Sequence, residues 1–480
     1  MQKIANYING NHLPPHSGKY IDNYDPSTGK IYSLIPDSDT SDVDAAVEAA
    51  KKAFPEWSSC GVEERYRILN KMADLIAEKK EALAQAESRD SGKAISLSRS
   101  VDIPRAEANI RFFATAILHF SSTAHQMEGV AVNYTLRQPI GVVGCISPWN
   151  LPLYLFTWKI APALATGNCV IAKPSEITPM TAYLLSEIAI EAGMPPGVLN
   201  ILHGLGPKVG QAIVEHPNIK AISFTGGTAT GRILARTAAP MFKKLSLELG
   251  GKNPNIIFAD CDFEEALSTT LRSSFANNGQ ICLCGSRVYI ERPIYNKFRD
   301  ELVKRANALK VGDPFANDTA QGSLVSKQHR EKVMSYLDLA REEGGTILCG
   351  GEQVSPGGEL DGGYYLSPAI VEGLPNHCRT NQEEIFGPVI TLQPFDTEEE
   401  ALALANGVQY GLASTIWTSN IRRATRMAEK IEAGIVWINC WLLRDLRTPF
   451  GGVKNSGVGR EGGTEALRFF TEAKNVCVKY

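Results

Sequence analysis

Five short apolar runs recur along one stretch of the chain: Ile140–Ile146, Cys169–Ala172, Leu199–Leu202, Ala221–Phe224 and Leu245–Leu249. Amphipathic stretches such as Thr178–Ala192 and Pro207–His216 separate them. This alternation constrains the fold more than any other feature. Strands joined by helical crossovers run parallel, so it predicts a parallel sheet covered on both faces by helices. Such a sheet binds ligands beyond the carboxyl ends of its strands. After Gly250 the alternation restarts. Strands are expected at Asn255–Phe258, Val288–Ile290, Ile390–Leu392, Ala413–Trp417 and Ile435–Ile438, with helices at Tyr295–Leu309 and Lys327–Glu343. The fold class is therefore α/β with two doubly wound parallel-sheet domains.

The flanks read differently. Residues 1–36 are turn-rich, and Thr40 or Ser41 can cap a helix through Val43, Ala46, Val47 and Ala50. Ile68, Leu69, Met72, Leu75 and Ile76 make one buried helical face, and a further helix starts near Pro104, with Arg105 in its first turn. Pro449–Gly457 reads as a long glycine-rich loop, followed by a strand-like Asn475–Val478. The 480 residues suffice for roughly two to four domains. Lys plus Arg is 49 against 52 for Asp plus Glu, so no basic excess points to nucleic acid or an anionic membrane. Of ten cysteines only Cys282 and Cys284 stand close together, and no paired Cys-x-x-Cys units suggest zinc; no metal is expected. No leader pattern opens the chain, and no apolar run approaches ~18 residues, so a cytoplasmic protein without a membrane span is expected.

Several segments carry chemistry-bearing residues. Phe275-Ala276-Asn277-Asn278-Gly279-Gln280-Ile281-Cys282-Leu283-Cys284 sets two thiols in a polar turn between a helix and a strand. Either could be a nucleophile, or both could be inert. Leu247-Glu248-Leu249-Gly250-Gly251-Lys252 places one carboxylate in an apolar run. A cysteine nucleophile and a carboxylate base are the minimum for making and hydrolysing a thioester. Gly204-Leu205-Gly206-Pro207-Lys208-Val209-Gly210 is one residue too long for the dinucleotide fingerprint and reads alone as a turn. Phe224-Thr225-Gly226-Gly227-Thr228 leaves a strand and opens a helix, whose free N–H groups suit a pyrophosphate. Lys173-Pro174-Ser175-Glu176 leaves another strand; its ends can bond ribose hydroxyls or simply pair with each other. Ser147-Pro148-Trp149-Asn150 leaves a third, and Asn150 can donate to a developing oxyanion or form a turn.

Taken in order along the chain, Pro-Trp-Asn, Lys-Pro-Ser-Glu, Leu-Glu-Leu-Gly-Gly-Lys, Gly-Gln-x-Cys, Glu383-Glu384-Ile385-Phe386-Gly387-Pro388 and Pro-Phe-Gly-Gly closely resemble the NAD(P)-dependent aldehyde dehydrogenase superfamily. The resemblance spans essentially the whole chain. It implies Cys282 as nucleophile, Glu248 as the base for deacylation, and Asn150 with the Cys282 backbone N–H as oxyanion hole. It places NAD at Trp149, Lys173, Ser175, Glu176, Gly206, Gly210, Phe224, Gly227, Thr228, Glu384 and Phe386. It also implies a split cofactor domain (1–120 and 140–250), a catalytic domain (251–450) and a small β oligomerisation element (121–139 and 467–480) of a homodimer or homotetramer.

The substrate pocket is expected from Arg105, Leu151, Leu155, Trp158, Ile281, Leu283, Asn439, Arg444 and Phe450. Two arginines at one tunnel suit a carboxylate, unless Arg444 and Arg447 pair with Asp445. Val101–Arg105, Ser273–Asn277 and Asn439–Leu442 are most similar to the 2-aminomuconic and 2-hydroxymuconic semialdehyde dehydrogenases. That similarity implies an unsaturated, carboxylate-bearing semialdehyde from kynurenine or aromatic-ring degradation.

Overall fold

The computed structural model describes residues 1–480. Its largest sheet has eight strands. Five are parallel and lie side by side in the order Lys244–Glu248, Ile219–Thr225, Val142–Ile146, Cys169–Lys173, Leu199–Ile201. The chain steps outward from Val142–Ile146 to Leu199–Ile201, then returns to lay Ile219–Thr225 against its starting strand. The direction of winding therefore reverses between Val142–Ile146 and Ile219–Thr225, and a crevice opens at their carboxyl ends. The helix between the first two strands, Pro152–Ala165, is buried along its entire length. That burial explains why its sequence is apolar on every side rather than on one stripe.

The second sheet has seven strands, ordered Thr346–Cys349, Ala369–Glu372, Val389–Phe395, Arg287–Glu291, Pro254–Ile257, Ala413–Trp417, Ile435–Ile438. All neighbours are parallel except the antiparallel edge strand Thr346–Cys349. The two sheets meet end to end. Glu248 ends a strand of the first, while the Cys282 and Glu384 segments lead into strands of the second. Functional residues thus gather between the carboxyl edge of one sheet and the amino edge of the other. A third, three-stranded sheet joins Ala124–Met127, Ala131–Pro139 and Thr471–Lys479. No helix is long and apolar enough to cross a membrane.

The expected strands and long helices all form, with ends shifted by one or two residues at most positions. Four local differences have physical reasons. Asp39, not Thr40 or Ser41, caps the first helix, because Asp42 three residues on completes a reciprocal capping box. Pro207 opens a π-turn over Gly206–Gly210, so only Gln211–Glu215 is regular α-helix. The glycine-rich tail is not a free loop. Gly457–Val458 adds antiparallel to Leu247–Glu248, with Gly457 at φ +146° and its missing Cβ 2.1 Å from the Leu247 carbonyl. Only glycine permits that approach. Finally, the last strand extends over nine residues, held by pairing along the whole of Ala131–Pro139.

Candidate active site

The helix Phe263–Phe275 ends in a tight turn. Asn277, Asn278 and Gly279 lie in the left-handed region at φ 51°, 57° and 69°. Asparagine tolerates that region better than most residues, and a Cβ on Gly279 would stand 2.1 Å from the Gly387 carbonyl. The turn delivers Cys282 with its carbonyl accepting from Asn253 Nδ2 at 2.7 Å. Its own backbone N–H donates to no protein group. Burial pushes the Cys282 thiol well above its ordinary pKa, and the Glu384 and Glu248 carboxylates add to this, while Arg444 opposes them. Cys284 is buried beside Ala276, and burial raises its thiol to about 12.

Cys282 stands where two cavities meet. One is an apolar tunnel of about 250 Å³, with 14 hydrophobic residues among its 20 lining residues. Its walls include Leu151, Tyr154, Leu155, Trp158, Ile281, Leu283, Trp441 and Phe450, with Glu248, Arg272, Arg444 and Glu461 as charged members. The other is a polar cleft of about 230 Å³, lined by Trp149, Asn150, Thr225, Gly226, Gly227, Gly250, His329, Lys332, Glu384 and Phe386. This cleft lies at the crevice where the winding of the first sheet reverses.

Glu248 ends its strand with a buried carboxylate, and neither oxygen has a hydrogen-bond partner. Gly451 makes room for it: a Cβ there would sit 2.8 Å from Glu248 Oε1. Burial raises the Glu248 pKa well above the usual carboxylate range, and the nearby Glu461 charge raises it further; Lys159, Arg460 and Arg444 pull the other way. Lys159, buried on its apolar helix, donates to Glu461 Oε1 at 2.8 Å and Ser223 Oγ at 3.1 Å.

A half-buried thiol flanked by an unpaired carboxylate, an apolar tunnel and a polar crevice agrees with what known proteins show. The model of the aldehyde dehydrogenase family matches residues 12–476. The chain belongs to that family. Among its relatives, the 2-aminomuconic semialdehyde dehydrogenase of Danio rerio is 51% identical, covering 99% of this chain and 98% of the relative. The 2-hydroxymuconic semialdehyde dehydrogenase of Pseudomonas sp. (strain CF600) is 47% identical over the full length of both. The NAD+ complex of the aldehyde dehydrogenase from Bacillus cereus superposes with a TM-score of 0.97 at 40% identity, covering 100% of this chain and 97% of that one.

In this aldehyde dehydrogenase the residues singled out in the sequence fall into three groups. Cys282, Glu248, Leu151, Leu155, Trp158, Ile281, Leu283, Arg444 and Phe450 all line the tunnel, and Trp149, Asn150, Gly227, Glu384 and Phe386 the cleft. Trp149 packs edge-on against Phe386 at 5.2 Å and His329 at 5.0 Å. Glu384 Oε1 accepts the Gly251 N–H at 2.9 Å. Asn150 Nδ2 donates to the Gln280 carbonyl at 2.9 Å, which leaves one of its two amide N–H groups free.

A second group gathers one strand further out. Lys173 Nζ bonds Glu176 Oε2 at 3.0 Å, Glu176 Oε1 accepts the Gly206 N–H at 3.4 Å, and Gly210 leaves space beside the Lys173 stem. Although burial pushes Glu176 upward, Lys173 and backbone N–H groups prevail and hold its carboxyl below the usual range. Ser175 accepts the Ile177 N–H at 3.3 Å, as a turn former does.

The third group departs from expectation. Asn439, placed in the substrate pocket by resemblance, is not there: its amide donates to the Thr418 carbonyl at 2.9 Å and accepts the Thr418 N–H at 3.0 Å. It shapes its loop at φ 52° instead. Arg105 does not reach the tunnel at Cys282 but lines an outer funnel together with Arg444. Phe224 is buried in its strand, its ring filling the space where a Gly226 side chain would stand. Arg447 takes Asp445 as its partner, at 2.5 and 3.0 Å, whereas Arg444 pairs with no carboxylate. The Arg444 guanidinium lies 4.1 Å from the Phe450 ring and 5.3 Å from the Trp158 ring, and donates to Tyr154 Oη at 2.5 Å.

Sequence reasoning missed Lys159, Tyr154, His329 and Glu461. Lys159 had a legible signal, being a lone charge in the otherwise apolar Leu151–Ala165. The others had none.

Proposed function

We propose that this aldehyde dehydrogenase oxidises a carboxylate-bearing semialdehyde to the acid with NAD, through a covalent thioester on Cys282. The observation that carries the reading is the position of Cys282 at the junction of tunnel and cleft, with the unpaired Glu248 carboxylate facing the same space. The aldehyde enters by the tunnel. The Cys282 thiol passes its proton to the Glu248 carboxylate, which releases it to solvent before the second step, and the sulfur adds to the aldehyde carbon to form a thiohemiacetal. The free N–H of Asn150 and the unbonded N–H of Cys282 stabilise the oxyanion. Held in the cleft, NAD would supply the acceptor for the hydride of this carbon, whose loss leaves the thioester. Glu248 then draws a proton from water, whose oxygen attacks the thioester and releases the acid with the free thiol. A carboxyl held above its usual pKa by burial is a stronger base once ionised, which suits this step.

The cleft fits a dinucleotide. The helix Thr228–Ala238 opens at Gly227 with no side-chain cap, and a Cβ on Gly227 would meet nothing within 4 Å. The buried Thr225 hydroxyl there has no partner. On this reading Gly227 and Thr228 hold the pyrophosphate, Glu384 and Phe386 the nicotinamide half, and Trp149, Lys173 and Glu176 the adenosine half. An ionised Glu176 would repel a 2′-phosphate, which favours NAD over NADP. Arg444 is unpaired at the tunnel, and we assign it to the substrate carboxylate with Arg105 at the funnel. The named activities of the relatives from Danio rerio and Pseudomonas support this substrate class. We take residues 1–120 with 140–250 as the cofactor unit and 251–450 as the catalytic unit. The exposed outer edge of Thr471–Lys479 supports a homo-oligomer, because a bare strand edge invites pairing.

Rapid mixing of the enzyme with NAD and 2-aminomuconic or 2-hydroxymuconic semialdehyde tests the chemistry. Cys282→Ala is expected to release no NADH. Glu248→Gln is expected to give one stoichiometric burst followed by turnover ~10²–10⁴-fold slower than the parent. Full turnover by Cys282→Ala would end the assignment.

A further inference from the structure

The turn that carries Asn150 rests on a buried charge cluster. Lys93, Glu87 and Asp102 all have side chains 0% exposed. The Lys93 ammonium donates to Asp102 Oδ2 and, at 2.9 Å, to the Asn150 carbonyl, and stands 3.8 Å from Glu87 Oε1. Glu87 Oε2 accepts the Leu153 N–H at 3.3 Å, at the uncapped start of helix Pro152–Ala165. The cluster thus grips the turn at two points, the carbonyl of Asn150 and the helix that follows it.

The opposite side of the turn is gripped by the nucleophile loop. Asn277 Nδ2 donates to the Asn150 carbonyl at 3.0 Å and to the Gln280 carbonyl at 3.2 Å. Asn150 Nδ2 donates to that same Gln280 carbonyl, two residues before Cys282. The Asn150 carbonyl therefore accepts from Lys93 and Asn277 together, so both its lone pairs are engaged and its peptide plane cannot rotate freely. Lys93 is itself anchored. The Gly92 carbonyl accepts the Ser323 N–H at 3.0 Å, and the adjoining Gly322 carbonyl accepts Asn278 Nδ2 at 2.7 Å. The frame closes back on the Cys282 turn.

An ammonium and two carboxyls buried together are a poor way to gain stability, since apolar residues of similar size pack there without desolvating charge. A directional donor explains the arrangement better.

We propose that Lys93 is a positioning residue: anchored by Asp102 and Glu87, it fixes the Asn150 peptide so that the free amide N–H of Asn150 stays aimed beside the Cys282 sulfur. The proposal rests on the reading of Asn150 as oxyanion donor. It is tested by a double-mutant cycle on the full-length enzyme. Lys93→Met leaves two buried carboxyls without their cation, so Lys93→Met combined with Asp102→Asn is measured beside it. Active sites are counted by alkylation of Cys282 with iodoacetamide, and single-turnover NADH formation is expressed per site, which removes losses through misfolding. In an otherwise parental enzyme the paired substitutions should slow hydride transfer ~10–10²-fold, with the Michaelis constant for NAD nearly unchanged. In an Asn150→Ala background the same substitutions should change the rate by less than ~3-fold, because residues acting through one group are not additive. Equal losses in both backgrounds, or a full rate in the paired variant, would overturn the proposal. An Asn150→Ala enzyme with the parental rate would instead overturn the oxyanion reading, and the proposal with it.

Discussion

The two cavities that meet at Cys282 are built by different means. The polar cleft is framed by strand ends, three glycines and the uncapped start of helix Thr228–Ala238. The tunnel is made of side chains, most of them drawn from four distant parts of the chain, around Val101, Tyr154, Ile281 and Trp441. Backbone geometry tolerates little substitution, since a single Cβ can close it. A side-chain wall can change its chemistry without changing its shape. The cleft should therefore be brittle and the tunnel tunable, and four substitutions probe that contrast.

Gly250→Ala should have the largest effect. A Cβ at this position would stand 2.2 Å from Glu384 Oε2 and displace the buried carboxylate. If Glu384 holds the ribose as proposed, losing that charge-assisted bond should raise the Michaelis constant for NAD by ~10–10²-fold while leaving that for the aldehyde nearly unchanged. Steady-state titration of each substrate separates the two. An equal rise in both would mean the cleft and tunnel are not independent.

Arg444→Met keeps most of the apolar contact with Trp158 and Phe450 and removes the charge. Its expected effect is a rise of roughly 10–30-fold in the Michaelis constant for a carboxylated semialdehyde, against little change for an uncharged aldehyde of the same length. Arg105→Ala, in the more open funnel, should cost less than ~5-fold, as solvated ion pairs do. If Arg105 proved the stronger of the two, the carboxylate would sit in the funnel rather than the tunnel.

Glu461→Gln should barely alter the plateau rate but should move the pH profile. In its proposed role Glu248 acts as a base only when ionised, so deacylation should rise with pH through its elevated pKa. The negative charge of Glu461 contributes to that elevation. Neutralising it lowers the Glu248 pKa, and the acid limb of the turnover profile should shift to lower pH. An unmoved limb would show that burial alone sets the base.

The same contrast governs what could be read in advance. Cleft residues sit in short contiguous motifs, because a strand end and the turn after it are neighbours in sequence. Trp149–Asn150, Gly226–Gly227, and Glu384 with Phe386 were legible for that reason. Tunnel residues were legible only where they flank such a motif, as Leu151 and Ile281 do. Asn439 was misplaced and Arg105 proved to line the outer funnel, because whether a side chain reaches a cavity depends on how separate segments pack. Glu461 escaped notice altogether, since nothing in Gly459–Gly462 announces that its carboxylate will meet Lys159.

By itself the sequence determined the alternation of strands and helices, hence two parallel sheets, and the order of reactive groups along them. It also determined that a thiol and a carboxylate would end up at sheet edges, because each follows or precedes a buried strand. Only the tertiary structure decided which of Arg444 and Arg447 stays unpaired, that Gly451 clears the space around Glu248, and that Lys93 reaches the Asn150 carbonyl. Those outcomes turn on distances of a few ångströms between segments far apart in the chain, and local pattern carries no information about such distances.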